Sequence, residues 1–257
     1  MRQRATLLFI LIATAAPTGN TARVPVVVEL FTSEGCSSCP PADALLQRLV
    51  DASAESGADV VALGEHVDYW DHQGWKDRFS SATLTSRQQT YAARFNLESI
   101  YTPQLVVDGR AELVGSDAAA ARRAIERAAA APHGAVRIAI ESETNGRDLS
   151  IVVSASDLPP IARGDRADIL LAVTEDRLTS DVKRGENHGR ILTHAAVVRR
   201  LMTIGEAAAP SPSPSTGRAE VTLAPDWQRD HLKLVAFVQE RRGRTILAST
   251  ALKISRP

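Results

Sequence analysis

Two cysteines placed three positions apart are the residues of this sequence best suited to chemistry. Cys36 and Cys39 enclose two serines and are the only cysteines in the 257-residue chain. A continuous β-branched run (24–32) precedes them and a helical apolar pattern (41–56) follows, so Cys39 is expected about one turn inside a helix. Unpaired N–H groups and the positive dipole end at a helix N-terminus stabilise a thiolate. We therefore expect Cys36, as the more exposed thiol, to attack and Cys39 to resolve a mixed disulfide.

Two alternatives stay open for the cysteine pair. A structural disulfide that closes a loop of about four residues contributes only roughly 2 kcal/mol, which favours a redox role over a stabilising one. Half of a zinc site is the other alternative, but the sequence holds no second Cys-x-x-Cys and no histidine pair at the distance after Cys39 that a zinc finger requires.

The first 22 residues have the pattern of a secretory signal peptide. Arg2 and Arg4 precede the apolar stretch 7–16, and small residues allow cleavage after Ala22. The stretch is shorter than the ~20 residues needed to span a bilayer, although an uncleaved anchor is an alternative. We expect a periplasmic or secreted protein with no membrane span after cleavage, in a compartment where a disulfide persists.

Composition excludes several classes of protein. The chain has 30 basic and 30 acidic residues, 44% hydrophobic residues and 23% charged residues, which indicates a folded globular protein and not a disordered one. Zero net charge and only 4% aromatic residues argue against nucleic-acid binding. The sequence has no Gly-rich phosphate loop, no Ser-His-Asp order and no paired-carboxylate signature.

Residues 23–132 alternate strand and helix patterns. A second buried strand is predicted at 59–67, a helix at 80–95 capped by Thr85 or Ser86, and a hairpin at 104–115 around Asp108-Gly109. Ser116 or Asp117 is predicted to cap a further helix that ends near residue 130.

From residue 133 the periodicity changes to two. Pro132-His133-Gly134 breaks the preceding helix, and seven strand-like runs with turn signals between them predict an antiparallel sandwich. The Pro/Ser-rich tract 207–217 is interpreted as a flexible connection between two of these strands. The predicted organisation is a signal peptide (1–22), an α/β domain (23–132) and a β-sandwich domain (133–257).

The order of strand, Cys-x-x-Cys, helix, Thr102-Pro103, hairpin and helix resembles the thioredoxin superfamily. The resemblance implies a thioredoxin-like α/β domain, with a central mixed sheet flanked by helices, followed by the all-β sandwich-like domain. It further implies a cis-proline at Pro103 beside the sulfurs, with Thr102 offering backbone hydrogen bonds to an extended substrate. An ordinary trans Thr-Pro bond is the alternative.

The same resemblance gives Glu29 a role in proton transfer to Cys39. Glu29 stands seven residues before Cys36, whereas the thioredoxin carboxylate stands six before, so the alternative is that it pairs with an arginine or reaches solvent. Gly35 occupies the position where thioredoxins place a tryptophan, and Ser37-Ser38 replaces Gly-Pro. These departures leave the direction of electron flow open.

Four separated motifs indicate a resemblance to one particular family. The segments VELFTSEGCSSCPPAD, HVDYWDHQGWKD, YTPQLVVDG and GENHGRILTHAAVVR together resemble an exported bacterial family of unassigned function, the domain of unknown function 1223 (DUF1223). The likeness extends over nearly all of residues 24–255, and it implies no substrate.

Aromatic and histidine residues near the second strand supply further candidates. We assign Trp70, Trp75 and Tyr101 as candidate substrate-binding residues, with a packing cap over the helices as the alternative for the tryptophans. His66 and His72, with Asp68 and Asp71, would suit a copper site shared with the thiolates, although no metal is predicted.

A polar segment at 185–200 contains Glu186, Asn187, His188 and His194. Because no nucleophile lies near it in sequence, it is interpreted as a turn with local side-chain-to-backbone hydrogen bonds that leads into a strand.

Together these patterns predict an exported, cofactor-free thiol–disulfide oxidoreductase. Cys36, Cys39, Pro103, Thr102 and Glu29 would act on protein or small-molecule thiols and disulfides. The alternatives are a periplasmic binding or scaffold protein with a passive disulfide, and a copper metallochaperone. No oligomeric state is predicted.

Overall fold

The computed structural model describes residues 23–52 and 58–254, which form a mixed α/β structure around a large central mixed sheet with few helices. The predicted signal peptide (1–22) lies outside the described residues. In the ranges that are described, no helix is long and apolar enough to cross a membrane. The elements of the first part are, in chain order, β1 (Val24–Thr32), α1 (Pro40–Asp51), β2 (Ala58–His66), α2 (Ala82–Phe95), β3 (Gln104–Val107), β4 (Ala111–Val114) and α3 (Ala118–Ala129).

The central strand of this part is β1, whose apolar run is buried on both faces. It pairs in parallel with β2, from Val24 opposite Ala58 to Thr32 opposite His66. On its other side β3 runs antiparallel and continues into the hairpin with β4, which gives the strand order β2-β1-β3-β4.

Alternate residues of β1 face different helices because successive side chains in a strand point to opposite faces. Val26, Val28 and Leu30 belong to the core that α1 and α3 cover. Val27 and Phe31 lie in two other clusters, the first with Leu84 of α2 and the second with Tyr91 of α2. Helices therefore cover both faces of the sheet, and α1 and α2 lie on opposite sides of β1.

The helix starts differ in two details from the prediction. Helix α1 begins at Pro40, so Cys39 is its N-cap residue and not a residue one turn inside it. Helix α2 begins at Ala82, two residues after the predicted start, and its cap is Ser81 and not Thr85 or Ser86; the Ser81 hydroxyl accepts a hydrogen bond from the Thr83 N–H at 3.2 Å. Asp117 caps α3 as predicted, and it accepts from the Ala120 N–H at 2.9 Å.

The rest of the described chain is almost entirely β. Its strands are β5 (Ala135–Thr144), β6 (Asp148–Ser156), β7 (Ala167–Glu175), β8 (Leu178–Asp181), β9 (Ile191–His194), β10 (Val197–Ala207), β11 (Ser215–Thr222), β12 (Leu232–Glu240) and β13 (Ile246–Lys253), with a short 3-10 helix at Arg229–His231. All seven predicted runs contain strand. The fourth run is two strands, because Ala196 takes a positive φ of 50° between β9 and β10. Strand β8 was missed because its sequence, LTSD, has no apolar run.

Two sheets pack face to face in this second part. The three-stranded sheet β11-β6-β5 buries apolar side chains against β7, β12 and β13 in one continuous core. Strand β10 joins the sheet that contains β7, β12 and β13 to the first part of the chain. It pairs with β7 on one side, and on the other its Val197 pairs in parallel with Gly64 of β2. The eight-stranded sheet in the described residues therefore has the order β13-β12-β7-β10-β2-β1-β3-β4.

Strands β8 and β9 form a separate two-stranded hairpin. Strand β9 packs against α1, so this hairpin lies beside the start of the helix that follows Cys39. The connection between the two strands, residues 182–190, is called the covering loop below.

Candidate active site

A disulfide joins Cys36 and Cys39, with 5.4 Å between their Cα atoms. The pair closes the turn between the end of β1 and the start of α1. The Cys36 N–H donates to the Ser33 carbonyl and the Cys39 N–H donates to the Cys36 carbonyl, each over 3.2 Å. The covalent bond and these two hydrogen bonds give the turn a single compact conformation.

Both cysteines are fully buried, with 0% of their surface exposed. The expectation that Cys36 is the more exposed thiol is therefore wrong. Solvent reaches the intervening Ser37 and Ser38 instead. The covering loop, a segment far away in sequence, binds the backbone of this turn.

Two side chains of the covering loop make this contact. The Asn187 amide donates from Nδ2 to the carbonyl oxygens of Glu34 and Cys36, each at 2.9 Å, and Asn187 is itself fully buried. The exposed Glu186 carboxylate accepts from the Ser37 N–H at 3.0 Å. The predicted turn with local hydrogen bonds is corrected here, because these bonds bridge about 150 residues of chain.

The start of α1 offers the sulfurs fewer donors than an ordinary helix start. Pro40 and Pro41 occupy its first two positions and have no N–H to donate. The next N–H, from Ala42, donates to the Cys39 carbonyl at 2.8 Å. The Ser38 hydroxyl lies 3.3 Å from Cys36 Sγ, and it must be the donor because a disulfide sulfur carries no hydrogen. Side chains therefore contribute much of the polar environment of the pair.

Glu34 is one of these side chains, and it is fully buried. Its Oε2 accepts from Trp75 Nε1 at 2.7 Å, and its backbone N–H donates to Asp77 Oδ2 at 2.9 Å. Burial alone would raise the pKa of Glu34. The interactions with His194, Ser180 and Trp75 outweigh burial and the charge of Asp77, so the pKa of Glu34 lies below its ordinary value.

A buried pair formed by Asp77 and His66, the last residue of β2, holds the backbone of Glu34 in place. His66 Nδ1 lies 2.6 Å from Asp77 Oδ2, and both residues are 1% exposed. Burial would raise the pKa of Asp77, but His66 and the N–H groups of Glu34 and Phe79 hold it below its ordinary value. Asp77 is thus an ionised carboxylate that anchors both β2 and the turn before Cys36.

His194, at the end of β9, lies between two buried carboxylates. Its Nε2 is 3.4 Å from Glu34 Oε1 and its Nδ1 is 4.0 Å from Asp43 Oδ1. Burial lowers the pKa of His194, but Asp43 and Glu34 more than compensate and raise it to about 9. The imidazole is therefore a buried cation at neutral pH, and neither ring nitrogen has a hydrogen-bond partner within normal geometry.

Glu29 faces away from this cluster, because it alternates with Val28 and Leu30, which pack toward α1. Its Oε2 lies 2.6 Å from Arg87 of α2, and its Oε1 accepts from the Tyr91 hydroxyl. Arg87 also contacts Glu65 and donates to Gln239 of β12. These contacts favour the alternative in which Glu29 pairs with an arginine. The buried network around Arg87 also links α2 to β12 in the second part of the chain.

Thr102 and Pro103 lie at the end of the sheet that carries the disulfide. Gln104 pairs with Phe31, so the residues before Gln104 are level with the last residue of β1. The Thr102-Pro103 bond is cis, as the resemblance implied. Pro103 is buried and Thr102 half-buried, and the Thr102 hydroxyl accepts from Trp70 Nε1 at 2.8 Å.

The three aromatic candidates are half-buried, and each uses its polar atom within the protein. Trp70 binds Thr102, Trp75 binds Glu34, and the Tyr101 hydroxyl donates to Glu112 at 2.6 Å. Trp70 also occupies the space beside Gly35, where an added Cβ would lie 3.1 Å from the Trp70 Cβ.

The residues considered for copper are not gathered around the sulfurs. His72 is exposed, Asp68 binds Thr85, and Asp71 accepts from the Asp77 N–H and the Ser80 hydroxyl. Among the residues that the structure describes, no group of three or more histidine, cysteine, aspartate or glutamate residues is arranged to hold a metal ion.

Sequence reasoning singled out the sulfurs but missed Glu186, Asn187, His194 and Asp43 as their neighbours. Asp43 lies one helical turn after Cys39, so helical spacing alone places these two residues on one face of α1. For the other three, the only signal was the unexplained polar motif at 185–194, whose contact with the Cys-x-x-Cys turn depends on the tertiary fold.

One family model and several solved structures are similar to this chain. The model of a family described as "Protein of unknown function (DUF1223)" matches residues 27–239. The crystal structure of protein AGR_C_4864 from Agrobacterium tumefaciens is similar, with 27% identity and a TM-score of 0.65, and the match covers 92% of this chain and 97% of that one. HBP35 of Porphyromonas gingivalis shares the fold at 13% identity and a TM-score of 0.64, over 90% of this chain and 76% of that one. No curated protein matches the chain.

Proposed function

The chain belongs to the DUF1223 family, whose function is unknown, and from that premise we propose that it is an exported thiol–disulfide oxidoreductase. The observation that carries the proposal is the disulfide between Cys36 and Cys39 in the turn that leads from the central strand into α1. A disulfide across a four-residue turn contributes little to stability, so its chemistry is the better reason for its presence.

The arrangement around the disulfide supports a thioredoxin-like interpretation. The strand order β2-β1-β3-β4, with α1 and α2 on opposite faces, agrees with the central mixed sheet flanked by helices that the thioredoxin resemblance implies. The cis bond before Pro103 lies at the same end of the sheet as Cys36. In the proposed reaction, Thr102 and Pro103 line the position where an extended substrate segment would bind.

The proposed reaction is exchange with a dithiol partner. A partner thiolate attacks Cys36 Sγ, the Cys36–Cys39 bond breaks, and its electron pair leaves on Cys39 Sγ as a thiolate. The partner's second thiolate then attacks the partner's own sulfur in the mixed disulfide and expels Cys36 as a thiolate. The partner becomes a disulfide and the pair becomes reduced, and the reverse sequence oxidises a partner. Because both cysteines are buried, each direction requires the covering loop to move away from the turn.

Catalytic turnover with insulin or a small model disulfide tests the proposal. Cys36→Ser is expected to abolish turnover, whereas Cys39→Ser is expected to accumulate a mixed disulfide that mass spectrometry detects. Ser37→Ala, in the same turn but exposed, is the matched control and should keep the parent rate. Equal rates for the parent and both cysteine variants would exclude the proposal.

The reduction potential of the Cys36–Cys39 pair indicates the direction of electron flow. A value of about −120 mV would indicate an oxidant, and one of about −270 mV a reductant.

The complete burial of both cysteines favours a second candidate, a periplasmic binding or scaffold protein with a passive disulfide. This candidate predicts a reduction potential below about −300 mV, as in structural disulfides, and a Cys36 that does not react with alkylating reagents when reduced. The potential therefore separates the two candidates in a single measurement.

A further inference from the structure

The hairpin β8–β9 places a buried positive charge beside the disulfide turn. His194, 3% exposed, is the last residue of β9 and lies against α1. Its ring nitrogens are 3.4 Å from Glu34 and 4.0 Å from Asp43, with no better partner for either nitrogen. The position of this imidazole between two carboxylates makes it the counter-ion of their negative charges.

The two carboxylates bracket the disulfide along the chain. Glu34 lies two residues before Cys36 in the turn, and Asp43 lies one helical turn after Cys39 on the same face of α1. The other titratable groups that face this cluster are His66, whose ring centroid is 4.7 Å from that of His194, and Asp77, which binds both His66 and the Glu34 N–H. His194 is thus the positive side chain that lies between the two carboxylates nearest to the pair in sequence.

Reduction of the pair adds negative charge to this environment. When a partner thiolate opens the disulfide, Cys39 Sγ receives the electron pair of the broken bond, and no proton is gained in that step. In a buried site, charges interact over several ångströms, so His194 affects the thiolate without touching a sulfur. A cation there favours the reduced state, and a carboxylate disfavours it.

We propose that His194 is the counter-ion that sets the reduction potential of the Cys36–Cys39 pair, and that Glu34 acts on the potential in the opposite direction. This inference deepens the proposed oxidoreductase function and rests on it. His194 is a positioning residue for charge and not a catalytic residue, since it contacts neither sulfur. Its pKa of about 9 and the depressed pKa of Glu34 agree with an ionised pair at neutral pH.

The test is redox equilibration of the folded protein in glutathione or dithiothreitol buffers at neutral pH. His194→Asn is expected to disfavour reduction about tenfold, which is ~30 mV toward negative potential for a two-electron couple. Glu34→Gln is expected to shift the potential in the positive direction. The double variant should lie between the two single variants. His188→Asn, an exposed histidine of the covering loop, is the control and should leave the potential unchanged.

Opposite signs are the decisive result, because a merely structural role would change both single variants in the same direction. Shifts of the same sign, or no shift in His194→Asn, would overturn the inference. Should His194→Asn not fold, the comparison of Glu34→Gln with the parent supplies the sign. The equilibrium is measurable whether or not the protein turns over a substrate. Failure of this inference is therefore distinguishable from failure of the proposed function, which the turnover of the cysteine variants decides.

Discussion

The Asn187 side-chain amide donates to the carbonyl oxygen of Cys36 at 2.9 Å, although 151 positions separate the two residues. The same Nδ2 also donates to Glu34, and the Asn187 Oδ1 accepts from Arg190 at 3.1 Å. The Nδ2 end of this fully buried amide therefore holds the covering loop against the disulfide turn, whereas its Oδ1 end bonds within the loop. Loss of this amide would free the loop while leaving the disulfide itself unchanged.

Asn187→Ala is therefore expected to accelerate reduction of the disulfide by dithiothreitol. Two hydrogen bonds to buried carbonyls are lost, and a cost of about 1–3 kcal/mol for leaving buried polar groups unpaired corresponds to an opening of the loop that is about 5-fold to 150-fold more favourable. The measurement is the pseudo-first-order rate of thiol release at low reductant concentration. His188→Ala in the same loop should keep the parent rate, and an unchanged rate in Asn187→Ala would show that the loop does not limit access.

Arg87→Met is expected to destabilise the fold strongly. The variant leaves Glu29 and Glu65 buried without the guanidinium that lies 2.6 and 3.2 Å from them, and breaking one partner of a buried ion pair costs about 3–5 kcal/mol. Urea unfolding measures the loss. Arg94→Met is the matched control, since this exposed arginine lies in the same helix, and its loss should be much smaller. Equal losses would contradict the role of the buried network.

Stability is expected to fall as the pH rises through the range in which His194 loses its proton. Its pKa is about 9 in the folded state and 6.5 ordinarily, so its contribution is complete below about 6.5 and is lost as the pH passes about 9. The difference in unfolding free energy between the parent and His194→Asn should therefore shrink between pH 6 and pH 9.5. His133 lies beside Asp108 and also has a raised pKa. His133→Gln is therefore the control, and it should leave the contribution of His194 to the pH dependence of the unfolding free energy unchanged. A difference that grows with pH would contradict the assignment.

Gly64→Ala is expected to disturb the junction between the two parts of the sheet. The Gly64 N–H donates to the Ala196 carbonyl at 2.7 Å, and an added Cβ would lie 2.7 Å from the Ala195 carbonyl oxygen. Overpacking of this kind costs about 1–3 kcal/mol. Asp59→Ala, at an exposed position of the same strand, should stay within about 0.5 kcal/mol of the parent in thermal or urea unfolding. An equally mild Gly64→Ala would show that β2 and β10 separate at little cost.

Local patterns were sufficient for most of the elements. The β-branched run of β1, the hairpin around Asp108-Gly109 and the Asp117 cap were all predicted, because each depends on residues within one turn or one strand. The same holds for the two prolines in the first turn of α1. The helix cap at Ser81 was missed because no apolar periodicity marks the first residues of α2.

The sequence by itself determined that two cysteines lie in a turn between a buried strand and a helix, because strand, turn and helix signals are local. Only the tertiary structure decided that both cysteines are buried, that Asn187 binds the backbone of their turn and that His194 lies between Glu34 and Asp43. These contacts join segments about 150 residues apart, through a hairpin whose β8 has no apolar pattern and a sheet in which β10 pairs with β2. Hydrophobic periodicity reports which face of an element is buried, but not which distant side chain meets it.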